Sequence, residues 1–264
     1  FSARSTAGEP TAVIHDVGPL VLYQPTASLE ASDRRAYPWT PSDPYAEQAA
    51  YIAQYRGDMW LADVQQVYRR FFGPGTAFAS RGRKGFFVEA GAVQGTVFDS
   101  NSLFFERFLG WRGLLVEANP FSFAKLLVRR PASYRLESAL CSAAGIMRFN
   151  LPDNQRTADG CCGRANGKGK YSLRCTPIGA VLRQIGVEHV DFWSLDVEGA
   201  EVRRKNIKNA CTWHPPIYMH THSNTLQSTK LIRCSLSAQL EVLQGFDWAR
   251  ETISVLLIEV YPRF

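Results

Sequence analysis

Glu89, Gly91 and Gly95 stand in the order E-x-G-x-x-x-G at the end of an apolar run, GFFVEAGAVQG over 85–95. Glycines in such a loop let the backbone approach a ligand closely. A dinucleotide would need backbone amides facing its pyrophosphate, and an acid at the strand end opposes that anion. Glu89 makes better sense beside a cation. S-adenosyl-L-methionine carries a sulfonium, an ammonium and no pyrophosphate, and fits this chemistry. The plainer reading of the same residues is an ordinary strand-to-helix turn with a solvated Glu.

A second acid, Glu117, follows Gly95 by 22 residues, at the end of GLLV (113–116). An ionised carboxylate has two acceptor oxygens and can take hydrogen bonds from both hydroxyls of a ribose. Its plainer reading is a surface Glu before a turn at Asn119-Pro120. A third group, Ser194-Leu195-Asp196-Val197-Glu198-Gly199-Ala200-Glu201, holds three acids in six positions. Asp196 ends an apolar run, and ligands of open α/β sheets bind outside the carboxyl ends of the strands. Several roles stay open for the group: favouring a helix start through the macrodipole, facing a sulfonium, taking a proton from an acceptor hydroxyl, or holding a metal. Asp196 and Glu198 are the candidate general bases.

These acids need strands to present them. Gly85–Ala90, Gly113–Val116, Tyr134–Leu140, Val190–Leu195 and Ile253–Val260 read as short buried strands. Asn101–Leu109, Pro120–Arg130 and Pro177–Ile185 read as helices between them, the first with Asp99, Ser100 or Asn101 as its cap and the last with Pro177 in its first turn. Gly145–Leu151 and Tyr171–Thr176 read as a strand pair around a glycine-rich loop at 159–170. Apolar strands alternating with helices predict an α/β fold with a mostly parallel sheet covered on both faces. Upstream, residues 1–43 read as a flexible Pro- and Ser-rich arm with one short strand at Leu20–Tyr23. Residues 44–72 are helical by spacing, broken near Gly57 and stopped at Gly73-Pro74-Gly75.

In combination, GFFVEAGAVQG (85–95), DSNSLFFERFLGWRGLLVEANP (99–120), VDFWSLDVEGAE (190–201), LEVLQGFDW (240–248) and ISVLLIEVY (253–261) resemble the FkbM-type methyltransferases. The resemblance spans about residues 50–261 and implies a Rossmann-like methyltransferase domain over 44–264 that uses S-adenosyl-L-methionine. It implies O-methylation of a hydroxyl on a carbohydrate, lipid or secondary metabolite. It carries Glu89, Gly91, Gly95, Glu117 and Asp196 over as cofactor positions, and places Asp99, Ser100 and Asn101 near the cofactor or acceptor. Competing readings are a non-catalytic Rossmann-like module for binding or trafficking, and a nicotinamide-dependent oxidoreductase, which Glu89 and the missing central G-x-G oppose.

The family pattern runs from DVEGAE straight into LEVLQGFDW, whereas here residues 202–239 intervene. This segment holds six basic residues and no acid, and so carries the whole net charge of +6; the remainder balances 24 basic residues against 24 acidic. The basic balance therefore gives no reason to expect a nucleic-acid partner. Val202-Arg203 can be encoded as a splice donor, and the codon of Gln239 as a splice acceptor, so the segment is hypothesised to be translated intron. Its Cys211, His214, His220, His222 and Cys234 are read as accidental composition, not as a zinc site. The chain starts at Phe1 and stops at Phe264, soon after the last apolar run. The expectation is a truncated domain lacking its last two strands, with an unpaired apolar edge.

With 45% apolar and 20% charged residues, the composition is that of a globular protein. No run approaches the ~18 apolar residues of a membrane span. Six cysteines are too few for a disulfide framework and set no compartment. His189 reads as a solvated loop residue at the end opposite the site. Phe104, Phe105 and Phe108 read as core, while Trp111 and Trp193 read as core or as a wall for adenine. The acceptor, oligomeric state and compartment have no signature in these residues.

Overall fold

The computed structural model describes residues 20–26, 60–96, 99–150, 164–165, 171–197, 217–220, 227–228 and 242–259. The fold is α/β and is built on two sheets. In chain order its elements are β1 (Leu22–Tyr23), α1 (Trp60–Val67, continued by a π turn at Tyr68–Phe72), β2 (Phe86–Ala90), α2 (Leu103–Arg107), β3 (Arg112–Glu117) and α3 (Pro120–Arg129). There follow β4 (Tyr134–Glu137), β5 (Ala139–Leu140), β6 (Gly145–Asn150), β7 (Arg164–Ala165), β8 (Tyr171–Thr176), α4 (Ile178–Gln184) and β9 (His189–Leu195). The last are β10 (Ile217–His220), β11 (Gln227–Ser228) and β12 (Thr252–Glu259).

The larger sheet has the order β1-β4-β3-β2-β9-β12-β10-β11. Strands β4 through β10 in that order run parallel, and β1 and β11 at the edges run antiparallel. The smaller sheet, β5-β8-β6-β7, combines one parallel pairing with two antiparallel ones. The expected single, mostly parallel sheet is thus corrected to two mixed sheets. The physical division is plain: the central strands are joined by long crossovers, which parallel pairing requires.

Both faces of the central strands are buried, which is why their sequences read as continuous apolar runs rather than alternating ones. Val88, Leu114, Trp193, Leu195 and Leu256 pack on one face against Val181 and Leu182 of α4 and against Leu243 and Phe246. Phe87, Leu115, Phe192 and Val255 pack on the other, against Val67 of α1, Phe105 of α2 and Leu126 of α3. Phe105 is the ring at the centre of that second layer, 4.7 Å from Phe192 and 4.8 Å from Trp111. Trp111 and Trp193 are both fully buried in the core, on opposite faces of the sheet, so neither is a wall for a ligand.

Other expectations change in detail. The predicted strand Tyr134–Leu140 divides at Ser138 between the two sheets. The Ser138 hydroxyl lies 2.7 Å from the Ala139 carbonyl and 3.0 Å from the Arg174 carbonyl, and this local bonding turns the chain from one sheet to the other. The expected strand pair is formed by β6 and β8. The apolar edge of β12 is not bare: β10 runs parallel to it, and β11 pairs with β10. Both strands belong to the basic segment 202–239, whose other residues, with Cys211, His214, His222 and Cys234, lie outside the described ones.

Cys141 and Cys175 form a disulfide, with Cα atoms 5.8 Å apart, that joins the chain just after β5 to β8. His189 opens β9 rather than standing in the loop before it; its side chain is partly exposed, as expected, with Nδ1 2.7 Å from Thr252 Oγ1 and Nε2 3.0 Å from Ser254 Oγ. Among the described residues no helix is long and apolar enough to cross a membrane.

Candidate functional site

The carboxyl ends of β2, β3 and β9 lie side by side, because these strands are parallel neighbours in register. Glu89 lies opposite Leu115 of β3 and opposite Ser194 of β9. Side chains alternate with period two along a strand, so Glu89, Ser194 and Glu117 share one face of the sheet. The two acids singled out by sequence are thereby brought to the same end and the same side.

Their surroundings differ. Glu89 is 2% exposed, and the protein's own donors surround its carboxylate. The hydroxyls of Ser100 and Ser102 each donate to Oε2 at 2.7 Å. The amides of Asn101 and Ser102 donate to Oε1 at 2.6 and 3.4 Å. Burial pushes this carboxyl above the ordinary carboxylate range, while the nearby Arg130 charge and these donors oppose the shift. The Asn101 side chain reaches the Ser194 hydroxyl at 3.0 Å, so Asn101, whose amide donates to Glu89, ties β2 to β9. This bonding also delays α2, which begins at Leu103 rather than Asn101, since the preceding amides are turned towards Glu89.

Glu117 ends β3 and is also buried, with 6% exposure. Its Oε2 accepts from the Val93 amide and its Oε1 from the Asn119 amide, both at 2.7 Å. Asn119 in turn caps α3, its side chain accepting from the Phe121 amide at 3.0 Å, with Pro120 in the first turn. Burial pushes Glu117 up to about 8, and the charges of Asp99 and Asp196 add to the effect against the two amides. Asp99 is raised too, chiefly by burial, although it accepts from the Thr96 amide at 2.5 Å and the Thr96 hydroxyl at 2.9 Å. Glu117 therefore feels the charges of two further carboxyl groups, Asp99 and Asp196, at this end of the sheet.

The glycines serve the protein's own packing. Gly91 has φ +83°, and a Cβ there would lie 1.7 Å from the Asp196 carbonyl oxygen. That contact holds the tips of β2 and β9 together, with the Asp196 amide donating to the Ala90 carbonyl at 3.0 Å. Gly95, at φ +69°, leaves room for Leu126 and for the methylenes of Arg130. Glu198 and Glu201 lie outside the described residues.

Sequence reasoning missed Arg130, Ser102, Glu106 and Val93. Arg130 is fully buried, and its guanidinium reaches Glu106 at 2.8 Å, Ser100 at 2.8 Å and Ser102 at 3.1 Å. An Arg in the last turn of a helix reads as an ordinary dipole partner, so its type and spacing carry no signal of burial. Val93 acts through its amide, which any residue type but proline would supply. Among the described residues no group of three or more His, Cys, Asp or Glu could hold a metal ion.

Chemically, Glu117 offers an acceptor pair at a strand tip, in an acidic surrounding that a cation would relieve. No family model, no curated protein and no solved structure matches this chain.

Proposed function

We propose that this chain is an S-adenosyl-L-methionine-dependent methyltransferase with a Rossmann-like domain, acting on a hydroxyl of a carbohydrate, lipid or secondary metabolite. The observation that carries the reading is the state of Glu117. In its ionised form, which a cation and donating hydroxyls would favour, the Glu117 carboxyl group has roughly four acceptor sites, and the Val93 and Asn119 amides take one on each oxygen. Each oxygen keeps one, the arrangement that a vicinal diol such as a ribose requires. Asp99 and Asp196 add negative charge beside it, which favours a sulfonium over a pyrophosphate.

S-adenosyl-L-methionine would supply the activated methyl group. The protein's part is to hold it and to align an acceptor oxygen with it. Glu117 would take the ribose hydroxyls, with Val93 and Asn119 keeping its carboxyl in place. Asp196, half-buried at the end of β9, would face the cationic end and, with Glu198, is the candidate for taking the acceptor proton. Glu89, bonded by Ser100, Asn101 and Ser102, would support the site from behind.

Isothermal titration of the full chain with S-adenosyl-L-methionine and with S-adenosyl-homocysteine tests the cofactor. Binding is expected, and Glu117→Ala is expected to abolish it. No binding, or an unchanged affinity in Glu117→Ala, overturns the reading. Transfer of a labelled methyl group to a panel of hydroxyl acceptors then separates an enzyme from the alternative, a non-catalytic binding module. The full use of Glu89 by protein donors is the observation on the side of that alternative.

A further inference from the structure

Two loops follow β2, residues 91–96 and 99–102, and both are built around one side chain that no ligand could touch. Arg130 passes its methylenes over Gly95, where a Cβ would stand 2.7 Å from Cγ. Its guanidinium then donates to Ser100 and Ser102, and each of those hydroxyls in turn donates a hydrogen bond to Glu89. On the far side it is anchored by Glu106, which also accepts from the Ser133 hydroxyl. Burying a guanidinium is costly unless its charge is matched and its N–H groups find acceptors. Here the charge is matched by Glu106 of α2, and the other two acceptors are the loop hydroxyls of Ser100 and Ser102, so Arg130 ties the loop to that helix.

The consequence reaches Glu117. Asp99 belongs to the loop that Arg130 holds, and it accepts from the Thr96 amide and hydroxyl and from the Gln94 amide. Gln94 follows Val93, whose amide donates to Glu117. Val93 has φ +46°, in the left-handed region that a β-branched residue rarely adopts. A residue held there persists only where its surroundings over-determine it, and the bonds on either side of it supply that constraint.

We infer that Arg130 is a positioning residue: through Ser100, Ser102 and Asp99 it holds the 93–96 backbone so that Val93 aims Glu117 at its ligand. Its effect on nucleoside binding rests on the reading of Glu117 given above, whereas its effect on Val93 is independent of any ligand.

The test uses the full chain as Arg130→Met, Arg130→Lys and the double variant Ser100→Ala with Ser102→Ala. In the native protein the Val93 amide resonance is expected to follow the titration of Glu117. In Arg130→Met that dependence is lost and the Val93 amide exchanges with solvent about tenfold faster or more. Amides of the central strands, such as Leu114 and Phe192, keep their protection, which a general loss of structure would not allow. Arg130→Lys keeps the charge without the planar fork and gives an intermediate result. The serine pair reproduces Arg130→Met and decides the matter should that variant fail to fold.

With ligand, the native chain is expected to bind adenosine about tenfold more tightly than 2′,3′-dideoxyadenosine. In Arg130→Met this preference disappears through weaker adenosine binding alone. Native Val93 exchange and titration in the folded variants overturn the inference. A native chain that binds neither nucleoside, yet shows the Val93 response to Arg130, overturns the cofactor reading and leaves the positioning role standing.

Discussion

The Val93 amide donates to Glu117 Oε2 at 2.7 Å, across 24 residues of sequence, while Val93 itself holds φ +46°. One carboxyl group therefore does two things. It fixes an unfavourable backbone conformation in the loop after β2, and it keeps acceptor capacity at the tip of β3. Coupling the two means that whatever changes the charge on Glu117 is felt in the loop.

The first consequence is a pH dependence of stability. The folded-state value of Glu117 is about 8, above the ordinary 4.5. Between those values the folded chain keeps the proton and the unfolded chain releases it, so stability falls as pH rises from about 4.5 to 8 and levels off above. The slope in that window is on the order of 1 kcal/mol per pH unit. Glu117→Gln removes this component. Denaturant titrations of both proteins from pH 5 to 9 check it, and parallel stability curves would contradict it.

Cofactor binding carries the opposite sign. A cation and donating hydroxyls favour the ionised carboxyl, so affinity for S-adenosyl-L-methionine is expected to rise with pH towards about 8, with proton release. Calorimetry in buffers of different ionisation enthalpy measures the proton directly.

Val93→Gly removes a left-handed β-branched residue while keeping the amide that Glu117 uses. The relief of about 1–2 kcal/mol is offset by the greater freedom of glycine in the unfolded chain, about 0.5–1 kcal/mol. The variant is expected within about 1 kcal/mol of native stability, and Val93→Ala, which keeps the strain, below it. Equilibrium unfolding of the three proteins gives the order.

Gly91→Ala is expected to be severe. Its Cβ would overlap the Asp196 carbonyl oxygen at 1.7 Å in a backbone already at φ +83°. Relief requires parting the tips of β2 and β9, and a loss above about 4 kcal/mol follows. A soluble Gly91→Ala protein with native melting temperature would show that this contact does not exist.

At the opposite end of the sheet, Asp191 is buried and accepts from Arg83 at 2.9 Å and from the Phe86 amide at 2.8 Å, with His189 at 3.2 Å. Burial alone would raise it, but the bonds from His189, Arg83 and Phe86 together with the Arg83 charge prevail, and its pKa lies below the ordinary value. Its contribution is therefore present above about pH 4 and is lost on acidification. Asp191→Ala is expected to cost about 1–3 kcal/mol at neutral pH, and less in acid. Thermal melts at pH 7 and pH 3 give the two differences.

What the sequence by itself determined is local. Unbroken apolar runs marked β2, β3, β9 and β12 to within a residue or two, because strands buried on both faces must be apolar throughout. The helix read over Pro120–Arg130 starts where α3 does, because proline suits a first helical turn whatever surrounds it. Glu117 and Asp196 could be placed at strand tips because each ends an apolar run. The tertiary structure alone decided what those residues meet. It turned Glu89 inward to Ser100, Asn101 and Ser102, and brought Arg130 beneath Gly95. It also moved Ala139–Leu140 into a second sheet and set Ile217–His220 beside β12. A buried carboxylate needs donors, but its residue type does not say which ones. That choice is made by chain segments distant in sequence and close in space, and no spacing along the chain records it.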